Sequence, residues 1–269
     1  MGANRRVNLS GRGHRGHRVG VCAAFSLIEL MVVLAVTVIL TALLFPAFRG
    51  VRENAQRLAC ASNQRQIGAA IVLYATDHAD RLPPTQFASG PSCRPQEMMA
   101  CTVGSFLGTS QPATAGPWDG LGWLVSPVSG MYLDSPTCLY CPSHHGDHPV
   151  ERYIGEFELP SSTKPIYSNY HYVGDRTLSV EAAAPRLLQN SHAEVLTTDG
   201  MRTKSDYNHI TGANVLHGDC AIRWYEDVGG QVLDALPDGE MPAGASQADK
   251  YLSIWKEIAS SEHPAAASK

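Results

Sequence analysis

Eleven residues from Cys138 to His148, "CLYCPSHHGDH", bring together Cys138, Cys141, His144, His145 and His148. Thiolates and imidazoles at such spacing can hold zinc in a tetrahedron, but a structural zinc finger normally places its second ligand pair farther along the chain. The spacing therefore favours thiols or a disulfide over Zn²⁺. A second constellation is His209, Asn214 and Asp219, with Asp199 upstream. Such residues can orient a loop, ligate a hard cation such as Ca²⁺, or move protons. Around "HGDC" the favoured role is a bland one, with Asp219 and Asn214 hydrogen-bonding backbone in a hairpin turn. His209 with Cys220 could be drawn as a base and a thiol nucleophile, yet the local pattern of a thiol hydrolase is missing. The chain also has no phosphate-binding loop, serine-nucleophile elbow or H-E-x-x-H motif, so no enzymatic turnover is expected.

The elements that must position these groups start from charge and hydropathy. Five arginines (Arg5, Arg6, Arg12, Arg15, Arg18) precede Phe25 with no acid among them, leaving 16 of the 21 basic residues against all 25 acidic ones. Such a basic start stays in the cytoplasm and the acidic remainder crosses. No basic patch is left for nucleic acid. From Phe25 to Phe45 there are 21 residues whose only charge is Glu29. A helix of that length rises roughly 30 Å, the thickness of bilayer hydrocarbon. An ordinary secretory signal has a shorter apolar run followed by a small-residue cleavage site, and neither holds here.

Helix-compatible sequence continues beyond the apolar run. Leu58, Ala61, Ile67, Ala70, Ile71 and Tyr74 recur as one apolar stripe among Arg, Gln and Asn, ending before Pro83 and Pro84. Phe25 to about Asp77 thus reads as a single helix, roughly 80 Å long. Pro46 lies inside it, where a lost hydrogen bond is expected to introduce a kink.

At Ala24 to Leu30, "AFSLIEL" resembles the N-terminal signature of type IV prepilins and type II secretion pseudopilins: a basic leader, a small residue, Phe, then an S/T-L-I-E-L core. The resemblance implies cleavage between Ala24 and Phe25 by a prepilin peptidase, with N-methylation of Phe25. Ala24 stands where the family usually carries Gly, so slower processing is expected. The resemblance also makes Glu29 the acid that pairs with the terminal amine of a neighbouring subunit, and Pro46 the kink-forming proline. An acid in lipid is expensive unless paired, so the pairing would set the stagger between subunits. The alternative is a plain signal anchor with Glu29 near the interface.

Further landmarks resemble a bacterial prepilin-like subgroup with a C-terminal His, nine residues, Asp-Gly pattern. They are, in order, "CASNQRQIGAAIVLYATDHADRLPP", "LYCPSHH", "SNYHYVGD", "LTTDG" and "HITGANVLHGDCAIRWYED", with Cys220 at the Gly position. The implied fold is α+β and pilin-like: a long N-terminal helix packed on an antiparallel β-sheet. The expected organisation is a leader (1–24), a transmembrane half-helix (25–45), an amphipathic half-helix (46–79), an irregular connecting region (80–135), a sheet domain (136–236) and a tail (237–269). The tail's Tyr251, Leu252, Trp255 and Ile258 fit one face of a short helix. The connecting region is read as a variable surface for filament contacts.

Loss of the leader would remove Cys22 and leave Cys60, Cys93, Cys101, Cys138, Cys141 and Cys220. An even number in an oxidising compartment points to disulfides, with Cys93 and Cys101 the simplest local pair. Because some pseudopilins bind calcium in a loop, the resemblance also makes Asp199, Asp219 and His209 candidate metal residues. The implied function is a structural pilin or pseudopilin subunit in the bacterial inner membrane and then in a filament. Its partners would be the prepilin peptidase, other subunits, the inner-membrane assembly platform and the lipid bilayer. The alternative is a membrane-anchored extracytoplasmic metal-binding module or hydrolase.

Overall fold

The computed structural model describes residues 25–88, 93–103, 117–158, 160, 164–176, 186–209, 211–239 and 245–261. The leader, and with it Ala24, lies outside the described residues, as does the side chain of Pro46. The chain divides into one unit up to Arg49 and a second from Gly50 onward.

Helix α1 (Leu27–Asp77) belongs to both. In the first unit, Leu27–Leu44 is long and apolar enough to cross a membrane, and none of it is buried. Its apolar side chains offer few hydrogen bonds, so the polar groups in it are satisfied by its own backbone. The Thr37 hydroxyl donates to the Leu34 carbonyl at 2.9 Å, and the Thr41 hydroxyl to the Thr37 carbonyl at 2.8 Å. Glu29 accepts the Ser26 N–H at 3.0 Å, in the favourable field of the helix N-terminus.

In the second unit α1 is amphipathic. Cys60, Gln64, Ile67, Ile71 and Tyr74 recur every three or four residues and are buried. Leu58, expected to begin that stripe, is 69% exposed, because Cys60 lies about 200° further round the helix. The helix stops at Asp77, where the Asp80 N–H reaches back to the Ala75 carbonyl at 2.8 Å. Ala79 and Asp80 take left-handed backbone there, with Pro83 following.

The class is α+β, with a four-stranded antiparallel sheet in the order β1 (Tyr170–Tyr172), β2 (Val195–Asp199), β3 (Gly212–His217) and β4 (Ile222–Glu226). Register pairs Tyr170 with Asp199, Thr198 with Val215, and Asn214 with Trp224. Alternation along β3 divides its side chains between two layers. Leu216 joins the core formed with Ile67, Ile71 and Tyr74 of α1. Ala213 and Val215 join a second core with Tyr251, Ile254 and Ile258. Those three belong to α4 (Ala245–Ser261), where Ile254 is buried and the expected Leu252 only half-buried. The described residues also form two short α-helices, α2 (Val150–Tyr153) and α3 (Gln231–Ala235). The Asp227 carboxylate holds the start of α3 by accepting the Val232 and Leu233 N–H groups, each at 3.0 Å.

The connecting region is more deeply embedded than an irregular surface loop. Leu82, Phe87, Met98, Met99, Trp118, Leu121, Leu124 and Leu133 all lie in the α1 core. Isolated backbone bridges pair Ala100 with Tyr167 and Thr102 with Trp118, tying this segment to the chain before β1 and to itself.

Close approach between layers depends on small residues. A Cβ on Gly218, at the β3–β4 turn, would lie 2.0 Å from the Ser191 carbonyl oxygen, a backbone atom that cannot swing away. Gly218→Ala is therefore expected to cost about 1–3 kcal/mol. Gly155→Ala meets nothing within 4 Å and should stay within about 0.5 kcal/mol of the parent. Urea unfolding of the detergent-solubilised chain measures both, and equal midpoints for the two variants would contradict the packing described.

Candidate metal centre

Asp199 ends β2 and is completely buried. Its Oδ1 accepts the Cys60 thiol at 2.8 Å and the Gln64 amide at 3.1 Å, both from α1. Its Oδ2 accepts the Asn214 backbone N–H at 2.5 Å and side-chain amide at 3.2 Å, both from β3. Four donors thus replace the water this carboxylate loses. Burial nevertheless pushes Asp199 above the usual carboxylate range.

His209 sits in the turn entering β3, held by the Gly212 N–H donating to its carbonyl at 3.0 Å. Its ring spans the cluster. Nδ1 lies 2.6 Å from Glu53 Oε1, while Nε2 lies 3.6 Å from Cys141 Sγ and 3.7 Å from Asp199 Oδ2. Burial works against a charged imidazole, but Cys141, Asp199 and Glu53 outweigh it and raise His209 to about 9. Cys141 is fixed from outside by Asn169, whose Oδ1 accepts the Cys141 N–H at 3.2 Å. Burial drives the Cys60 thiol far up, whereas for Cys141 the hydrogen bonds from Cys60 and His209 overcome burial and leave it below the ordinary thiol value. Cys141 is thus the more acidic of the two thiols.

Cys60, Cys141, Asp199 and His209 each direct one ligand atom into a space where all four lie within 4.8 Å of one another. Two thiols, an imidazole and a carboxylate are the donors of a soft or borderline cation. A thiol with an adjacent imidazole could also supply a nucleophile and base. Every one of the four residues is buried, which fits a closed centre better than a substrate site.

The sequence-predicted residues are redistributed. Cys141 and His209, expected in two separate constellations, meet here. His144 and His148 instead face Asp206, with His148 Nδ1 at 3.0 Å and His144 Nε2 at 3.7 Å. His144 Nδ1 is 2.8 Å from Asn208 Oδ1, and Thr203 donates to Asp206 at 3.0 Å, so this second group is a hydrogen-bond network between loops. Asp219 is not with Asp199. It caps the β3–β4 turn by accepting the Ala221 N–H at 2.9 Å, beside Arg223 at 3.6 Å. Asn214 lies in β3 and serves Asp199, not the turn. Cys220 takes left-handed backbone, φ 62°, at the position where the resembling subgroup carries Gly.

The expected disulfides are absent: none of the six described cysteines is bridged. Cys93 donates to the Ala88 carbonyl at 3.6 Å while Cys101 is fully buried, and Cys138 donates to Gln66 at 3.2 Å. Glu53, Gln64 and Tyr170, whose hydroxyl is 3.3 Å from Cys60 Sγ, were not anticipated from sequence. The signal for the first two was their spacing from Cys60, since residues seven before and four after it share one helix face.

Gln64 joins three elements at once. Its amide donates to Asp199 and to the Asn214 carbonyl at 3.1 Å each, and its carbonyl accepts the Thr197 hydroxyl at 3.3 Å. Gln64→Leu strands those buried partners and is expected to cost about 2–3 kcal/mol in urea unfolding. An unchanged midpoint would mean that the Asp199 network contributes little to stability. No protein-family model, characterised protein or solved structure matches this chain, so the chemistry assigned to this centre rests on its own residues.

Proposed function

We propose that this chain is a pilin or pseudopilin subunit, inserted in the bacterial inner membrane by Leu27–Leu44 and assembled into a type IV pilus-like or type II secretion-like filament after cleavage before Phe25. The observation that carries this reading is the pairing of "AFSLIEL" with an apolar helix start that is wholly uncovered. A single carboxylate, Glu29, lies four residues from Phe25 in that segment. Among the described residues Glu29 is held by the Ser26 N–H of its own helix N-terminus. Pairing it with the amine of a neighbouring Phe25 would relieve a charge in lipid and fix subunit stagger. The second unit, with its own two cores, is the part such a filament would display outside the membrane.

The second reading is a membrane-anchored extracytoplasmic metal-binding module or hydrolase. The buried group of Cys60, Cys141, Asp199 and His209 favours it. The two readings differ in what they require of Glu29 and of the leader.

The test is intact mass and N-terminal sequencing of chain recovered from membranes of cells with and without a prepilin peptidase. Filament assembly predicts a chain beginning at N-methylated Phe25 only when the peptidase is present. Glu29→Leu should still insert in the membrane and be cleaved, yet drop at least tenfold in sheared filament fractions. A chain that keeps its leader in peptidase-containing cells would leave Leu27–Leu44 as a plain anchor and overturn the filament reading.

A further inference from the structure

We infer that Cys60, Cys141, Asp199 and His209 form a closed zinc-type site that clamps α1 to the sheet. The four donors come from four places in the chain: the middle of α1, the loop after Leu139, the end of β2 and the turn entering β3. Zinc bonds of about 2.0–2.3 Å set neighbouring tetrahedral ligands about 3.3–3.8 Å apart. His209 Nε2 already holds that separation from Cys141 Sγ, at 3.6 Å, and from Asp199 Oδ2, at 3.7 Å. Cys60 is closer to Asp199, 2.8 Å from Oδ1, because its thiol proton bridges them. Coordination requires both thiols and the His209 Nε2 to give up their protons to solvent, and Cys60 and Asp199 then open to a metal-bridged distance.

The surroundings suit a metal as well as the donors do. Glu53 on His209 Nδ1 leaves Nε2 directed at the cluster, the arrangement by which a carboxylate orients a ligating imidazole. Gln64 and Asn214 hold Asp199 from its outer side. Two thiolates and a carboxylate around a dication leave one net negative charge. Arg57 is near enough to feel the Asp199 charge, and its guanidinium lies 3.2 Å over the Trp224 ring, which stands edge-on to His209. Sulfur donors exclude Ca²⁺ and Mg²⁺, which take oxygen. With all four positions supplied by protein and all four residues buried, the site is structural, and this holds whether or not α1 enters a filament.

The test uses the full chain in detergent, purified with reductant and then loaded with Zn²⁺ or Co²⁺. One zinc per chain by elemental analysis is expected. Co²⁺ should give both thiolate charge-transfer and tetrahedral ligand-field absorption. Alkylation mapped by mass spectrometry should label the partly exposed Cys138 and Cys220 at once, and Cys60 and Cys141 only after a chelator. His209→Gln should abolish the tetrahedral Co²⁺ spectrum, Glu53→Gln should weaken binding about tenfold, and Cys220→Ser should leave it unchanged. The parent chain's Co²⁺ spectrum decides the matter even if a variant fails to fold. Three outcomes overturn the inference: a reduced chain that stays metal-free at saturating Zn²⁺, an oxygen-only Co²⁺ spectrum, or a Cys60–Cys141 disulfide in protein isolated without reductant.

Discussion

The second unit is organised around one desolvated carboxylate. Asp199 has lost all its water, and a buried anion is tolerated only where donors are already aimed at it. Two of its donors are on α1 and two on β3, so the helix can settle on the sheet in only one rotation and one translation that satisfies them. Apolar contacts of Ile67, Ile71 and Tyr74 supply area but tolerate small slides. The polar cluster does not, since a slide of one helical residue, about 1.5 Å, would break its hydrogen bonds. Burial therefore drives α1 onto the sheet, and Asp199 selects its register.

The same constraint explains which parts of the fold were legible in the sequence. The apolar run from Phe25, the end of α1 before Pro83 and the antiparallel strands follow from hydropathy, proline and β-branched or aromatic composition, all local signals. Most of the contact face of α1 was legible too, since Ala61, Ile67, Ala70, Ile71 and Tyr74 are buried, but apolar residues alone also point to the exposed Leu58 and miss Cys60 and Gln64. A buried Gln looks like surface until its partners on β2 and β3 are known. Likewise Gly and Pro around residues 80–135 suggested a loop, whereas Met99, Trp118 and Leu124 are paid for by long-range pairing that no local window contains.

The chemical site was legible by residue type more than by grouping. Cys141, Asp199 and His209 were each singled out, but "CLYCPSHHGDH" invited a local metal site and the spacing of His209 and Asp219 invited a second. Folding cuts across both. The turn at Cys141 directs its thiol toward α1 while His144 and His148 go to Asp206, and the β3–β4 hairpin carries Asp219 away from Asp199. Sequence spacing reports proximity only where the backbone between two residues is regular. Between His209 and Asp219 it is a whole strand, six residues of β3 that separate them by construction.

The two halves of α1 place opposite demands on the same kind of group. In the exposed apolar half, Glu29 is an acid whose partner among the described residues is the Ser26 N–H of its own helix N-terminus. In the second unit, Glu53 is an acid half in solvent whose partner, His209, is supplied by the fold. One helix therefore carries one acid held locally by its own first turn and another held by the domain's own centre. The second unit thus completes its polar network from its own residues, because Glu53, Cys60, Gln64, Cys141, Asp199, His209 and Asn214 all lie from Gly50 onward.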